Sequence, residues 1–324
     1  MKLNNEQIQS LALGVAQTLS TQDGIELYRM KTAQAERIMN FNSNFGKRAY
    51  STAGIRLDFY TDSKFFAFAY DNAQSTSSRN WYYFTLFING KETALIGEET
   101  ATACTGTYRV ELPKGKNRIT LFLPNLFRAR ITSVELSDGA FFERITPKRR
   151  IVFHGDSITH GYDAKSAANS YANRVAYALD AEIFNFAIGG AMFNMRMVDT
   201  STDYNADAVV VAYGSNDWNK RPTKQAFSKF CSDFFETLMS LHKNVPVFVI
   251  PPIWRFDCEK ERPVGTFEDA RKEIARIASG YENTRVIDLF DEVPHELSFF
   301  TDGLHPNDEG FVHYAQGVLN KIKL

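Results

Sequence analysis

Five short apolar runs, Ile151–His154, Ile183–Phe186, Ala208–Tyr213, Val247–Ile250 and Val286–Leu289, alternate with segments of helical periodicity, clearest at Ala168–Leu179, Thr223–Leu241, Phe267–Ser279 and Asp308–Ile322. Strands separated by helices are joined by crossovers, and right-handed crossovers produce a parallel sheet with helices on both faces. The pattern predicts an α/β fold with a five-stranded, parallel, doubly wound sheet of flavodoxin-like type. Open sheets of this kind bind ligands at the carboxyl ends of their strands.

The chain before this pattern reads differently. Ile55, Leu57 and Phe59 alternate with other residues, as do Phe66, Phe68 and Tyr70, and such alternation marks strands with one buried face. The run Trp81–Ile88 meets Asn89-Gly90, a two-residue hairpin signal. Further strand pairs are expected at Tyr108–Leu112 with Ile119–Leu123 and at Ile131–Leu136 with Phe141–Ile145. Together these predict an all-β, jelly-roll-like sandwich over roughly residues 21 to 145. Ahead of it, Ile8, Leu11, Val15 and Leu19 keep helical spacing, so one surface helix is predicted from Asn4 to Leu19. The basic, proline-containing stretch Thr146–Arg150 marks the junction, giving expected domains of residues 1–147 and 148–324. With 324 residues and a 44% apolar share the chain has material for two cores.

Composition narrows the partners. A net charge of -1 spread along the chain gives neither a basic nucleic-acid face nor a polybasic membrane anchor. Cys104, Cys231 and Cys258 are far apart and odd in number, so neither a disulfide framework nor a zinc site is indicated. The apolar patch Leu11–Val15 is too short and too polar-flanked for a signal peptide, and no run reaches transmembrane length. A soluble cytoplasmic protein is expected, with secretion left open if a leader was trimmed.

Residues with chemical potential gather at the predicted strand ends. Ile151–His154 breaks at Gly155-Asp156-Ser157, which would expose a serine hydroxyl at the sheet edge; the same three residues also suit a plain helix cap. The second strand ends at Gly189-Gly190, where a backbone N–H can approach a ligand, or where the chain merely turns. The third ends at Gly214-Ser215-Asn216-Asp217, where the Asn216 carboxamide can donate to an oxyanion. Beyond the last strand comes Asp302-Gly303-Leu304-His305-Pro306, whose spacing lets Asp302 reach the His305 ring. Serine-based acyl hydrolysis needs a nucleophile, a base, an orienting acid and oxyanion donors, and one candidate for each falls on the same edge. Trp254, after the fourth strand, suits either a pocket wall for a sugar or core packing. His154 and His160 read as packing or rim groups and Asp156 as structural.

These four segments resemble, in order, the four blocks of the SGNH, or GDSL, hydrolase superfamily, over roughly residues 150 to 324. The resemblance implies Ser157 as nucleophile, His305 as base and Asp302 as its orienter. It implies an oxyanion hole from the Ser157 and Gly190 N–H groups and Asn216, with no metal or organic cofactor. Gly189 stands where many members carry serine, and Ala187 replaces a frequent glycine. The stretch Ile158–Tyr162 is similar to two-domain carbohydrate esterases with an N-terminal β-sandwich, and Gly24–Tyr28 resembles a G-x-D-L-Y signature with Glu26 in place of aspartate. The expected function is therefore a serine carboxyl-ester hydrolase removing acetyl from a carbohydrate or similar polar alcohol, acting on a small-molecule or oligosaccharide ester. Its alternatives are a general acyl-ester or thioester hydrolase with lipid-like substrates and, from another class, a glycan-binding protein with an inert hydrolase domain.

Overall fold

A computed structural model describes the backbone of residues 1–324 and every side chain except those of 73 and 74. In chain order the elements of the first half are α1 (Asn5–Leu11), β1 (Ala12–Leu13), β2 (Gln17–Thr21), β3 (Gly24–Tyr28), α2 (Thr32–Phe41), α3 (Ser43–Ala49), β4 (Arg56–Thr61), β5 (Phe65–Ser75), β6 (Tyr82–Ile88), β7 (Lys91–Glu98), β8 (Thr105–Glu111), β9 (Asn117–Phe122), β10 (Phe127–Leu136) and β11 (Phe142–Arg144). There follow β12 (Arg149–Gly155), α4 (Ser157–His160), α5 (Tyr171–Ala178), β13 (Ala181–Asn185), β14 (Ala208–Ala212), α6 (Ser215–Lys220), α7 (Lys224–Leu241), β15 (Val247–Val249), α8 (Phe267–Ala278), β16 (Thr284–Val286) and α9 (Asp308–Lys321).

The last five strands form one parallel sheet in the order β13-β12-β14-β15-β16, the doubly wound arrangement expected from the sequence. Successive residues of β14 point to opposite faces, and both faces are covered. Val209 and Val211 pack with Phe234 and Phe235 of α7 and Ile274 of α8, whereas Ala208 and Val210 pack with Val175 of α5 and Val318 of α9. That two-sided burial is why these strands read as continuous apolar runs. The last strand begins at Thr284, two residues before the predicted start, and residues after Val286 leave the ladder except for the Ile287 N–H, which reaches the Val249 carbonyl at 2.8 Å.

The first half contains two antiparallel sheets, β1-β4-β9-β6-β7, with β11 added to β4, and β2-β3-β10-β5-β8. Their facing aromatics, among them Phe66, Phe68 and Phe84, fill a shared core; the Phe68 and Phe84 ring centroids are 5.4 Å apart. Asn89-Gly90 makes the predicted hairpin between β6 and β7, with Asn89 at φ 53° and Gly90 at φ 79°.

Four expectations are corrected. The predicted Asn4–Leu19 helix stops at Leu11: the Asn4–Gln7 capping box starts it, but Ala12 and Leu13 pair with β4 and Gln17–Thr21 forms a hairpin with β3. Gly14, at φ 78°, lies where an added Cβ would meet the Gly54 and Ile183 carbonyl oxygens at 2.7 Å, an approach open only to glycine. Tyr108–Leu112 and Ile119–Leu123 are not a hairpin, since β8 pairs β5 and β9 pairs β4 and β6, so the connection passes from one sheet to the other. The same holds for β10 and β11, which pair β5 and β4 respectively. Finally the region is not all-β, because α2 and α3 interrupt it. Between β13 and β14 the chain makes only the short 3-10 turn Met195–Met197, and Ala35, Ile38 and Ala49 of α2 and α3 join Phe184, Val209 and Val211 in covering that part of the parallel sheet.

Candidate active site

β12 ends at Gly155, whose position excludes a side chain: a Cβ there would lie 2.3 Å from Thr159 Oγ1 and 2.9 Å from the Ala212 carbonyl oxygen. The tight turn puts Asp156 at the N-cap of α4, its carboxylate accepting the Ile158 N–H at 3.0 Å. Burial pushes the Asp156 carboxyl up to about 6. Ser157 is the first residue of the helix, and Gly161 closes it at φ 97°.

His305 arrives from the loop before α9. The Thr301 N–H donates to the His305 carbonyl at 2.9 Å, closing a turn in which Asp302 Oδ1 accepts the Leu304 and His305 N–H groups at 3.1 and 2.9 Å. The same carboxylate turns its Oδ2 to His305 Nδ1 at 2.8 Å, and His305 Nε2 lies 2.8 Å from Ser157 Oγ. With Nδ1–H donating to the Asp302 carboxylate, Nε2 is free to accept the serine proton. Burial alone would raise the Asp302 carboxyl; the hydrogen bonds from the His305 ring and N–H outweigh it and hold it well below the ordinary aspartate value. The three predicted residues thus form one continuous relay.

The predicted oxyanion donors come from the segments that follow β12, β13 and β14. Among the described residues the Ser157 and Gly190 N–H groups donate to no protein acceptor, whereas their neighbours are engaged: the Gly189 N–H binds His160 Nδ1 at 3.2 Å and the Ala191 N–H binds the Ile188 carbonyl at 2.9 Å. Asn216, in the first turn of α6, places Nδ2 3.4 Å from Asp156 Oδ2. Its neighbour Asp217 is buried and accepts the Phe193 N–H at 3.2 and 3.1 Å and Arg221 Nε at 3.0 Å. Asp217 therefore ties the loop that carries Gly190 to the helix that carries Asn216. Trp254 is not joined to the relay directly: its ring stacks on His295 at 5.2 Å and packs against Phe300 at 5.1 Å.

Several further residues pack around the relay. Tyr162 stacks on the His305 ring at 5.9 Å and meets His160 edge-on at 5.4 Å, with its own hydroxyl buried. Asp163, at φ 66°, places Oδ2 3.5 Å from His305 Nδ1. Arg79, from the loop before β6, grips Asp163 with two hydrogen bonds of 2.7 Å and lies 3.6 Å from Asp302. Arg48 donates to the Gly189 carbonyl, and buried Arg29 donates to the carbonyls of Asn185, Ala187 and Arg48. His160, kept neutral by burial and by the nearby Arg29 cation, uses Nε2 toward Ser51 Oγ at 2.8 Å and the Asn125 carbonyl at 3.0 Å. It is thus a packed support, as is His154. Tyr162 and His160 lie in the stretch Ile158–Tyr162 that the sequence singled out; Asp163 and the arginines carried no sequence signal.

Residues 153–311 match the model of the GDSL-like Lipase/Acylhydrolase family. No curated protein matches the chain. Among solved structures, the salicylyl-acyltransferase SsfX3 from a tetracycline biosynthetic pathway superposes with a TM-score of 0.83 at 18% identity, covering 98% of this chain and 95% of the other. An acetyl xylan esterase, Est2A, from the rumen bacterium Butyrivibrio proteoclasticus gives 0.67 at 14% identity over 99% and 96% of the two chains. A family two carbohydrate esterase from Clostridium thermocellum in complex with cellohexaose gives 0.63 at 17% identity over 83% and 91%. Each match extends through the antiparallel first half as well as the parallel sheet.

Proposed function

Residues 153–311 form a GDSL-like lipase/acylhydrolase domain, and on that premise we propose that the protein is a serine esterase that removes short acyl groups, acetyl above all, from a carbohydrate or similar polar alcohol. The observation that carries the reading is the relay from Ser157 through His305 to Asp302, at 2.8 Å in both links, with the Ser157 and Gly190 N–H groups free of a protein acceptor among the described residues. His305 takes the Ser157 proton as Oγ attacks the acyl carbon. The oxyanion is received by the Ser157 and Gly190 N–H groups and the Asn216 carboxamide, whose second N–H is not used by Asp156. Protonated His305 gives its proton to the leaving alcohol oxygen, leaving an acyl-serine. Water, deprotonated by the same ring, then releases the acid.

A short acyl group is supported by likeness to a protein described as an acetyl xylan esterase. The polar alcohol is supported by likeness to proteins described as carbohydrate and acetyl xylan esterases. A second reading, passage of the acyl group to an acceptor alcohol in place of water, is favoured by the TM-score of 0.83 to an acyltransferase. The test is release of nitrophenol from acetyl, butyryl and octanoyl esters by the wild type and Ser157→Ala, with and without added polyol. Activity greatest on acetyl and lost in Ser157→Ala is expected; activity rising with chain length refutes the short-acyl reading, and acyl-polyol formed in preference to acid selects transfer. Inactivity on all three esters, with retention of acetylated or free glycans on a column, would instead make the chain a glycan binder.

A further inference from the structure

Two carboxylates, not one, face the Nδ1 side of His305, and they differ in kind. Asp302 lies 2.8 Å from Nδ1 but its side chain is 44% exposed, open to water and salt. Asp163 lies 3.5 Å from the same nitrogen with 1% of its side chain exposed. A buried charge is screened far less than an exposed one, so distance and burial work in opposite directions here. Asp163 is also held in place: Arg79 Nε and Nη2 each donate to a separate carboxylate oxygen at 2.7 Å, a two-point grip that fixes the plane of the acid. The backbone of Asp163 at φ 66° is in the left-handed region, which a residue other than glycine enters at a cost that the surrounding contacts must offset. Arg79 also reaches Asp302 at 3.6 Å, and its guanidinium lies over the Tyr162 ring at 5.5 Å, the ring that stacks on His305.

We propose that Asp163, gripped by Arg79 from the antiparallel half of the chain, is a second positioning acid for His305, which holds the Nδ1 proton when Asp302 does not and stabilises the charged ring as Ser157 attacks. The inference rests on the hydrolase reading above. In the ground state the Nδ1 proton lies on the shorter path to Asp302. When the ring gains the Ser157 proton, Asp163 is the carboxylate whose field is least weakened by solvent. Arg79 keeps the acid aimed. The antiparallel half thereby contributes to the chemistry of the parallel sheet.

The experiment uses the full chain, labelled with 15N-histidine, as wild type, Asp163→Asn, Asp302→Asn and the double variant. Ring nitrogen shifts of His305 report which nitrogen carries the proton, and acetyl ester hydrolysis gives kcat and KM separately. Loss of the sole orienting acid in a serine triad costs about 10⁴ in kcat. With a second acid present, Asp302→Asn is expected to keep the Nδ1 proton and to lose only about 10² in kcat, while the double variant loses the Nδ1 proton and about 10⁴, with KM changed little in both. The proposal is overturned if Asp302→Asn alone moves the proton to Nε2, or if the double variant matches Asp302→Asn in both readouts. Should Asp163→Asn fail to fold, Arg79→Lys keeps a cation but loses the two-point grip, and kcat falling several-fold at unchanged KM is expected; an unchanged kcat overturns the proposal. If the wild type hydrolyses no ester, the hydrolase reading fails, and the ring shifts still decide which acids hold His305.

Discussion

Gly189 supplies a sharp test of how the site is packed. A Cβ at this position would lie 2.5 Å from Tyr162 Cε2 and 2.6 Å from both Cζ and the hydroxyl oxygen, about 1 Å inside ordinary carbon contact. The backbone at Gly189 cannot retreat, because its N–H is bound to His160 Nδ1 at 3.2 Å and its carbonyl accepts from Arg48. Nor is the ring free: His160 meets its edge at 5.4 Å, Arg79 lies over it at 5.5 Å and His305 stacks on it at 5.9 Å. Gly189→Ala should therefore cost about 1–3 kcal/mol of stability, the usual penalty for overpacking. By pushing Tyr162 against His305 it should also lower kcat, since a misplacement of about 1 Å in catalytic geometry costs up to about 10²-fold. Urea unfolding and acetyl ester kinetics on Gly189→Ala, Tyr162→Leu and the double variant form a closed cycle. Removing the ring should reduce the cost of the added methyl to under about 0.5 kcal/mol, a coupling expected only for residues in contact. An equal cost of Gly189→Ala with the Tyr162 ring present and with it removed would refute the reasoning. It would also remove the explanation for why glycine stands where many family members carry serine.

Two polar groups supply further predictions. Asn216→Ala should lower kcat about 10²–10³-fold on acetyl esters with little change in unfolding midpoint, as expected for one lost oxyanion donor; a loss below about tenfold would remove Asn216 from that role. His154 is buried between Phe186 and Phe234, each ring 5.7 Å away, and burial drives it from 6.5 down to about 3. The unfolded chain then takes up a proton that the folded chain refuses, so the stability from this group is complete above pH 6.5 and is lost as pH falls towards 3. At pH 4.5 the difference is about 3 kcal/mol. His154→Leu should accordingly lose much less stability between pH 7 and pH 4.5 than the wild type in urea unfolding, and parallel losses would contradict it.

The legible part of the site is the part written in local segments. Gly155-Asp156-Ser157 and Asp302–His305 each place their functional atoms within one turn, so their spacing describes their geometry. β14 was legible because it is buried on both faces, and α7 because it keeps one apolar stripe over 18 residues. What escaped depends on contacts between distant segments. Arg79 meets Asp163 across 84 positions, and no spacing rule joins them. Likewise α2 serves a sheet that begins more than 100 residues later, taking a place left by the short β13–β14 connection, and its one-sided apolar pattern could not say which sheet it covers. Strand order in the antiparallel half failed for a related reason. A five-residue connection between β8 and β9 suits a hairpin as well as a step between two sheets, and only cross-strand packing decides.

The parallel sheet brings Ser157, Gly190, Asn216 and His305 to one edge, but it does not hold the loop at Gly189-Gly190 by itself. Three carbonyls around that loop, of Asn185, Ala187 and Gly189, accept hydrogen bonds from Arg29 and Arg48, residues that precede the predicted boundary at 147. Burial lowers Arg29 only to about 9, so it stays charged at neutral pH and still donates to carbonyls that would otherwise be buried unpaired. Ser51 and Asn125 hold the far side of His160, whose Nδ1 accepts the Gly189 N–H, and the same loop is thus fixed from below. A flexible Gly-Gly segment would be a poor oxyanion donor, because a donor that must be ordered during the reaction gives back much of what it contributes. The arginines and His160 hold it without placing a side chain on either glycine, which leaves the Gly190 N–H free for the oxyanion role proposed for it.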